Sequence, residues 1–112
     1  MSAALVTLAP GLIHYPGYLD PAAQAVLLDS IRAVLTAAPP FTPRMPRTGK
    51  PFSVRMSNCG PLGWVSDAGG YRYQPTHPET GAPWPPMPDM MLRIWRDLGG
   101  CQQPPEACLI NI

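Results

Sequence analysis

Residues 55–64 read RMSNCGPLGW, residues 70–73 read GYRY and residues 83–88 read PWPPMP. Apolar and polar side chains alternate over Phe52–Asn58, which predicts a strand with one face more apolar than the other. The glycines and proline that follow favour a turn, and the chain then returns through Trp64–Ser66. With the aromatic strand at 70–73, these segments predict a curled meander of three short strands.

Two helices are predicted on either side of this region. Asp20 can cap a helix whose first position is a proline, and Pro39 with its neighbouring proline ends it. Pro88 can begin a second helix that Gly99 stops. Near the start, Leu5–Tyr15 is consistent with two short strands around a Pro-Gly turn.

Proline dominates two further segments. Phe41–Pro51 mixes proline with basic and small residues, which predicts an exposed loop that carries Arg44, Arg47 and Lys50. Gln74–Pro88 has too many prolines for a helix or a central strand, and we expect an ordered, extended loop anchored by its Trp and Met side chains.

The last segment, Cys108–Ile112, predicts a buried apolar strand. It has no turn, charge or cap after it, so we expect its pairing to be incomplete. On this interpretation, the amides of Ile110 and Ile112 gain protection from exchange only when a neighbouring strand is added.

Composition narrows the class of protein. The 112 residues are enough for one domain with a real core. Charged residues make up 13% of the chain, whereas about 25% is usual. The net charge of +1 argues against binding to nucleic acid by bulk electrostatics. Three cysteines without a C-x-x-C pair, no signal peptide and no long apolar run favour a reducing cytoplasm and no membrane.

The run Met-Ser-Asn-Cys-Gly-x-Leu-Gly-Trp over residues 56–64, the Gly-Tyr-x-Tyr over 70–73 and the Trp-Pro-x-Met-Pro over 84–88 resemble the amino-terminal part of the AlkB family. The resemblance extends from about Leu12 to Asn111. It implies an α+β fold: the amino-terminal extension and nucleotide-recognition lid of a double-stranded β-helix, or jelly roll, with most of the barrel missing.

On this resemblance the chain is a single partial domain. Residues 1–40 would form the strand and helix extension, 41–88 the lid and proline-rich loop, and 89–112 a helix and the first barrel strand. The family's His-x-Asp, distal His and 2-oxoglutarate-binding Arg have no counterpart here, so we expect the 112-residue chain alone to be inactive.

The resemblance also implies a function. AlkB-like enzymes use Fe(II) and 2-oxoglutarate for oxidative dealkylation of N-alkylated bases in single- or double-stranded DNA, and RNA is a further candidate substrate. This chain would supply base and phosphate recognition, and the complete enzyme is expected to be a monomer. Two alternatives stay open: a truncated, non-catalytic nucleic-acid-binding module, or a protein-interaction module.

Four residues match positions with roles in the family. Trp64 matches the tryptophan that stacks on the alkylated base, Tyr71 the tyrosine that hydrogen-bonds the backbone phosphate, and Met56 an apolar position in the base pocket. Asn111 matches the asparagine that hydrogen-bonds 2-oxoglutarate. Taken without the family, a strand Trp or Met is more often a core residue, and for Tyr73 we expect a half-buried position with a wet hydroxyl.

No catalytic residue and no metal ligand is assigned in this chain. The pair His77 and Glu79 has the His-x-acid spacing of non-haem iron sites, but its only possible histidine partner is His14, in an unrelated segment. Asn58 and Gly60 are expected to be structural, because both tolerate left-handed turn geometry.

Overall fold

The computed structural model describes residues 5–112, so the first four residues of the predicted extension lie outside it. In this described part of the chain the fold is α+β, as predicted, with two helices and six short strands. In chain order they are β1 (Val6–Ala9), β2 (Leu12–His14), α1 (Pro21–Ala37), β3 (Met56–Cys59), β4 (Gly63–Asp67), β5 (Gly70–Gln74), α2 (Asp89–Leu98) and β6 (Cys108–Asn111). Over residues 5–112 the strands pair as β1–β2, β3–β6 and β4–β5, all antiparallel, and do not close into a barrel.

Both predicted helices are present, with the predicted ends. The carboxylate of Asp20 accepts a hydrogen bond from the amide of Ala23 at 2.7 Å, which satisfies one of the free N–H groups at the start of α1. Pro88 precedes α2 and Gly99 follows it. Neither helix in the described part of the chain is long and apolar enough to span a membrane.

The predicted three-stranded meander is wrong in its pairing. β4 and β5 form the expected hairpin, but β3 pairs with β6 near the other end of the sequence. The strand predicted over Phe52–Asn58 begins only at Met56, and all four residues of β3 are buried. β3 can be buried although half of its residues are polar, because buried hydrogen bonds satisfy its Ser and Asn side chains. The Ser57 hydroxyl, for example, donates to the Ala38 carbonyl at 2.7 Å.

Two apolar clusters form the core, one on each face of β3. The first consists of Ala38, Phe41, Met56, Val65 and Trp84. The second consists of Val34, Cys59 and Met87, with Met91, Leu92, Cys108 and Ile110 packed against it. The proline-rich loop is therefore ordered through its Trp and Met side chains, as predicted. The Trp84 indole N–H also donates to the Gln74 carbonyl at 2.8 Å.

A buried side chain and backbone hydrogen bonds hold the loop over residues 41–51 against β3 and β4, although the sequence predicts an exposed loop. Phe41 is buried in the first cluster, and its backbone exchanges two hydrogen bonds of 2.8 Å with Met56. The amide of Arg44 donates to the Ser66 carbonyl at 2.9 Å, so the loop also reaches the edge of β4. Within residues 41–51, Phe41 and Pro43 are buried and Pro46 is half-buried, and the other residues are exposed.

β6 is a strand, as predicted, but its predicted full burial is wrong because Leu109 is 41% exposed. The amide of Ile112 donates to the Arg55 carbonyl at 2.8 Å, so the expectation that this amide finds a partner only when another strand is added is wrong. Within residues 5–112, β3 is the strand that pairs with β6, and the opposite edge of β6 is not covered by a second strand. Pairing is thus one-sided.

Candidate nucleotide-binding cleft

An aromatic face covers the β4–β5 hairpin. Trp64 lies directly opposite Tyr73 in the antiparallel register, so their side chains share one face of the hairpin. Tyr71, two residues from Tyr73, lies on the same face, and its ring stacks on the Trp64 indole with centroids 5.7 Å apart and planes 19° apart. Phe52 packs against the indole at 6.1 Å. The indole is half-buried, whereas Tyr71 and Tyr73 are 58% and 62% exposed.

A cleft of about 390 Å³ opens beside this aromatic face. Its walls come from β3, β4, β5 and β6 and from the residue just before β6: Met56, Asn58, Trp64, Tyr73, Ala107 and Leu109. The lining is mainly apolar with few polar groups, which is typical of a small-molecule or base pocket. The cleft therefore combines two aromatic side chains, Trp64 and Tyr73, with an apolar floor.

The β3–β6 register decides which side chains can reach the cleft. Met56 pairs with Asn111, and Asn58 pairs with Leu109. Because side chains alternate along a strand, these four residues project from the same face of the two-stranded sheet, and Cys59 projects from the other. Asn111, which is exposed, thus lies on the face that carries the cleft, directly opposite Met56.

Of the four sequence-predicted site residues, Met56 and Trp64 line the cleft, and Asn111 lies on the same face of the β3–β6 sheet as Met56 but outside the cleft lining. Met56 serves the core as well, because it is only 7% exposed. Tyr71 lies outside the cleft, although its ring touches the indole. It lines a neighbouring groove of about 470 Å³ with Gly70 and residues 45–48, which include Arg47.

Four cleft residues were not identified as site residues from the sequence: Asn58, Tyr73, Ala107 and Leu109. Tyr73 was expected to be half-buried, but it is largely exposed and lies opposite Trp64. The sequence could have indicated that Tyr73 lies on the same strand face as Tyr71, because the two residues are two positions apart in one strand. Leu109 could not have been found in this way, since its place in the cleft depends on pairing with a strand about 50 residues away.

Asn58 does not adopt the left-handed conformation expected of it. The residues of positive φ in the described chain are glycines, Gly60 among them, and Asn58 is extended within β3. Its side-chain amide reaches β4 instead. Nδ2 donates to the Trp64 carbonyl at 3.1 Å, and Oδ1 accepts from the Trp64 amide at 3.0 Å.

An ion pair closes the far end of the hairpin. The Arg72 guanidinium donates to both carboxylate oxygens of Asp67, at 2.8 and 3.0 Å. The amide of Gly69 also donates to this carboxylate, at 2.8 Å. The hydrogen bonds from Arg72, with the one from Gly69, lower the pKa of Asp67 to about 2. The ion pair therefore links β4 to β5 next to the turn of the hairpin, close to Tyr71 in the sequence.

Three sulfur atoms meet on the opposite face of the β3–β6 sheet. Cys59 and Cys108 are cross-strand partners, and their Sγ atoms lie 3.8 and 3.6 Å from the Met91 Sδ. The hydrogen bond with Cys108, together with burial, raises the pKa of Cys59 far above its ordinary value. Cys59 is fully buried, and we assign it as a neutral thiol that packs the sheet against α2.

His77 has a structural place in the proline-rich loop. Its Nδ1 accepts hydrogen bonds from the amides of Glu79 and Thr80, at 3.0 and 3.2 Å. The proton is therefore on Nε2, which donates to the Pro39 carbonyl at 2.7 Å. The ring is 3% exposed and packs 5.2 Å from the Trp84 ring. Both ring nitrogens are thus engaged by backbone groups.

No group of three or more His, Cys, Asp or Glu side chains within residues 5–112 is arranged to hold a metal ion. The donors in this part of the chain do not fit a complete Fe(II) site. The cleft face offers the Asn111 side-chain amide as a hydrogen-bonding group for a small carboxylate ligand.

The α+β fold is consistent with the known proteins that this chain is similar to. A family model of the 2OG-Fe(II) oxygenase superfamily matches residues 11–112, and the chain belongs to that superfamily.

Named relatives are also similar. The chain is 46% identical over 112 residues to an alpha-ketoglutarate-dependent dioxygenase AlkB homolog of Caulobacter vibrioides, a match that covers 100% of this chain and 50% of the relative. It is 39% identical over 108 residues to AlkB of Salmonella typhimurium, with 93% and 49% covered. To AlkB of Escherichia coli it is 36% identical over 108 residues, with the same shares covered. The chain thus spans about half the length of these curated relatives.

Proposed function

We propose that this chain is the nucleotide-recognition part of an AlkB-like dioxygenase that repairs N-alkylated bases in DNA or RNA. The observation that carries the proposal is the cleft beside Trp64, where a half-buried indole meets an apolar floor formed by Met56 and Leu109. An alkylated base taken out of its stack needs a flat aromatic surface and an apolar environment for its alkyl group. The cleft supplies both.

We assign phosphate recognition to the neighbouring groove. The exposed Tyr71 lines it together with Arg47, so a phenol hydroxyl and a guanidinium are available for a phosphate next to the base. Because the Tyr71 ring stacks on the Trp64 indole, one nucleotide can contact both residues, the base in the cleft and the phosphate in the groove. This arrangement is the lid function that the chain would perform.

Asn111 is proposed to donate a hydrogen bond to 2-oxoglutarate, because it lies on the cleft face opposite Met56. Together, Fe(II) and 2-oxoglutarate would supply the oxidation that removes the alkyl group. No iron ligand is assigned to residues 5–112, so the chain's own residues orient the base, hold its phosphate and exclude water from the alkyl group.

Binding of a short single-stranded oligonucleotide tests this proposal. We expect tighter binding when one base carries an N-methyl group than when it does not, and we expect Trp64→Ala to remove most of that difference. Base stacking on an aromatic side chain contributes about 1 to 3 kcal/mol, so the loss in affinity for the methylated strand is about 5- to 150-fold.

Trp95→Ala is the matched control. Trp95 is an exposed tryptophan on α2, and its indole N–H donates to the Gln103 carbonyl at 2.8 Å. It does not line the cleft. Equal losses for the two variants, or no preference of the wild-type chain for the methylated base, would refute a base-stacking role for Trp64.

The alternative is a binding module without catalysis. Succinate formation from 2-oxoglutarate, measured with Fe(II) and a methylated oligonucleotide, separates the two functions: the isolated chain is expected to show none. The decisive measurement is on a longer protein that contains this chain. Turnover by that protein supports the dioxygenase, whereas binding of the methylated strand by that protein without turnover supports the binding module.

A further inference from the structure

The side chain of Asn58 forms a two-point contact with the backbone of Trp64. Its amide nitrogen donates to the Trp64 carbonyl at 3.1 Å, and its oxygen accepts from the Trp64 amide at 3.0 Å. Asn58 is fully buried and held in β3, which lies between the two core clusters. The contact therefore joins a rigid strand to the residue that carries the indole.

The backbone of Trp64 needs this partner because it faces away from β5. In an antiparallel pair, opposed residues alternate between hydrogen-bonded and non-hydrogen-bonded positions. The Ser66 carbonyl accepts from the amide of Arg44, outside the hairpin, so Ser66 occupies a non-hydrogen-bonded position. Trp64, two residues earlier, does so too. At this outer edge of β4, the Asn58 side-chain amide forms the two backbone hydrogen bonds that a neighbouring strand would otherwise form.

We propose that Asn58 is the positioning residue for the base-stacking tryptophan: its amide fixes the position and tilt of the Trp64 indole at the edge of the cleft. This inference rests on the proposed function of Trp64. Both polar atoms of the Asn58 amide are used by the backbone of Trp64, so Asn58 acts through Trp64 and not by direct contact with the base.

An amide suits this task because one planar group offers a donor and an acceptor side by side. An ionised carboxylate can accept from the Trp64 amide, but it leaves the Trp64 carbonyl without a donor and places charge beside it. A protonated carboxyl group again offers one donor and one acceptor. Asn58→Asp is therefore a variant whose defect should depend on pH.

The experiment uses fluorine NMR of chain labelled with 5-fluorotryptophan, in which Trp64→Phe identifies the Trp64 signal. We expect Asn58→Leu to shift or broaden that signal and to weaken binding of an N-methylated oligonucleotide about tenfold. Asn58→Asp should show the same changes at neutral pH. Its Trp64 signal should return towards the wild-type position as the introduced carboxyl group is protonated on acidification.

Ser57→Ala is the matched control, because Ser57 is the adjacent, fully buried residue of β3 and its hydroxyl donates to the Ala38 carbonyl and not to Trp64. We expect it to lower the melting temperature but to leave the Trp64 signal and the oligonucleotide affinity unchanged. An Asn58→Leu signal identical to wild type, an equal change in Ser57→Ala, or an Asn58→Asp signal unaffected by acidification would overturn the inference.

The two hypotheses fail separately in this design. If the wild-type chain does not prefer the methylated oligonucleotide, the proposed function fails, while the Trp64 signal still decides whether Asn58 positions the indole. If Asn58→Leu does not fold, the acid titration of Asn58→Asp gives the same decision within a single variant.

Discussion

Gly63→Ala tests the packing that places Trp64. Gly63 begins β4, immediately before Trp64, and its backbone φ is not positive, so an alanine meets no conformational penalty there. The obstacle is steric. A Cβ atom at this position would overlap Cε2 and Nε1 of the Trp84 indole and lie 2.6 Å from its Cζ2. That indole cannot easily withdraw, because it is 6% exposed and its N–H donates to the Gln74 carbonyl at 2.8 Å.

The expected cost is at the upper end of the overpacking range, about 3 kcal/mol, because both the strand and the indole are held. Urea unfolding followed by circular dichroism measures it. Trp84→Phe on its own should cost about 2 kcal/mol through a cavity and a lost hydrogen bond. The smaller ring relieves the overlap, so the double variant should be at least 1 kcal/mol more stable than the two single costs predict.

Gly69→Ala is the matched control for this cycle. Gly69 also has an ordinary φ, and the nearest atoms to an added Cβ belong to the flexible side chains of Asp67 and Arg72, at 3.1 and 3.2 Å. We expect a change within about 0.5 kcal/mol. Additive costs for Gly63→Ala and Trp84→Phe would refute the argument, since they would show that the indole is not the obstacle.

Three further predictions follow from single contacts. His77→Ala should lower the free energy of unfolding by about 2 to 4 kcal/mol in denaturant titrations, because it removes a buried ring and its three hydrogen bonds to backbone groups of Pro39, Glu79 and Thr80; an unchanged midpoint would contradict this. The Asp67 pKa falls from 3.8 unfolded to about 2 folded, so the stability that the ion pair contributes is present above about pH 4 and is lost as pH falls through 2. It amounts to less than about 1 kcal/mol because both groups are partly exposed, and Arg72→Gln should abolish it in acid titrations of melting temperature. In hydrogen exchange by NMR, the amide of Leu109, at a non-hydrogen-bonded position on the free edge of β6, should exchange at least tenfold faster than that of Ile112, and equal rates would argue against the register.

The elements that depend on local chemistry were predictable from the sequence. The start of α1 follows from a capping carboxylate at Asp20 and a proline at the first helical position, and its end from two consecutive prolines. The β4–β5 hairpin follows from glycines at its turn and aromatic alternation in its strands. The resemblance to the AlkB family identified Met56 and Trp64, which line the cleft, and Asn111, which lies opposite Met56 on the same face of the β3–β6 sheet. Their roles in binding stay predictions.

Long-range pairing could not be predicted in the same way. The residues of β3 do not by themselves identify β6 as its partner, because strand partners are selected by the packing of both faces and not by local propensity. Nor does the sequence show that Asn58 reaches Trp64. An Asn before Gly60 is typical of a turn, and only the completed fold shows that its amide satisfies the edge of β4.

The same pairing makes the candidate site sensitive to register. Met56 and Asn58 come from β3, whereas Leu109 and Asn111 come from β6, and all four share the cleft face only because Met56 lies opposite Asn111. A slip of one residue would turn Leu109 and Asn111 to the face of the helices and expose Ile110 in their place. Hydrogen bonds between Arg55 and Ile112, at 2.8 and 3.2 Å, continue the ladder one pair beyond Asn111 and hold this register. The base recognition proposed for this cleft and the contact proposed for 2-oxoglutarate therefore depend on a ladder that joins two segments about 50 residues apart, and any change that loosens it should impair both together.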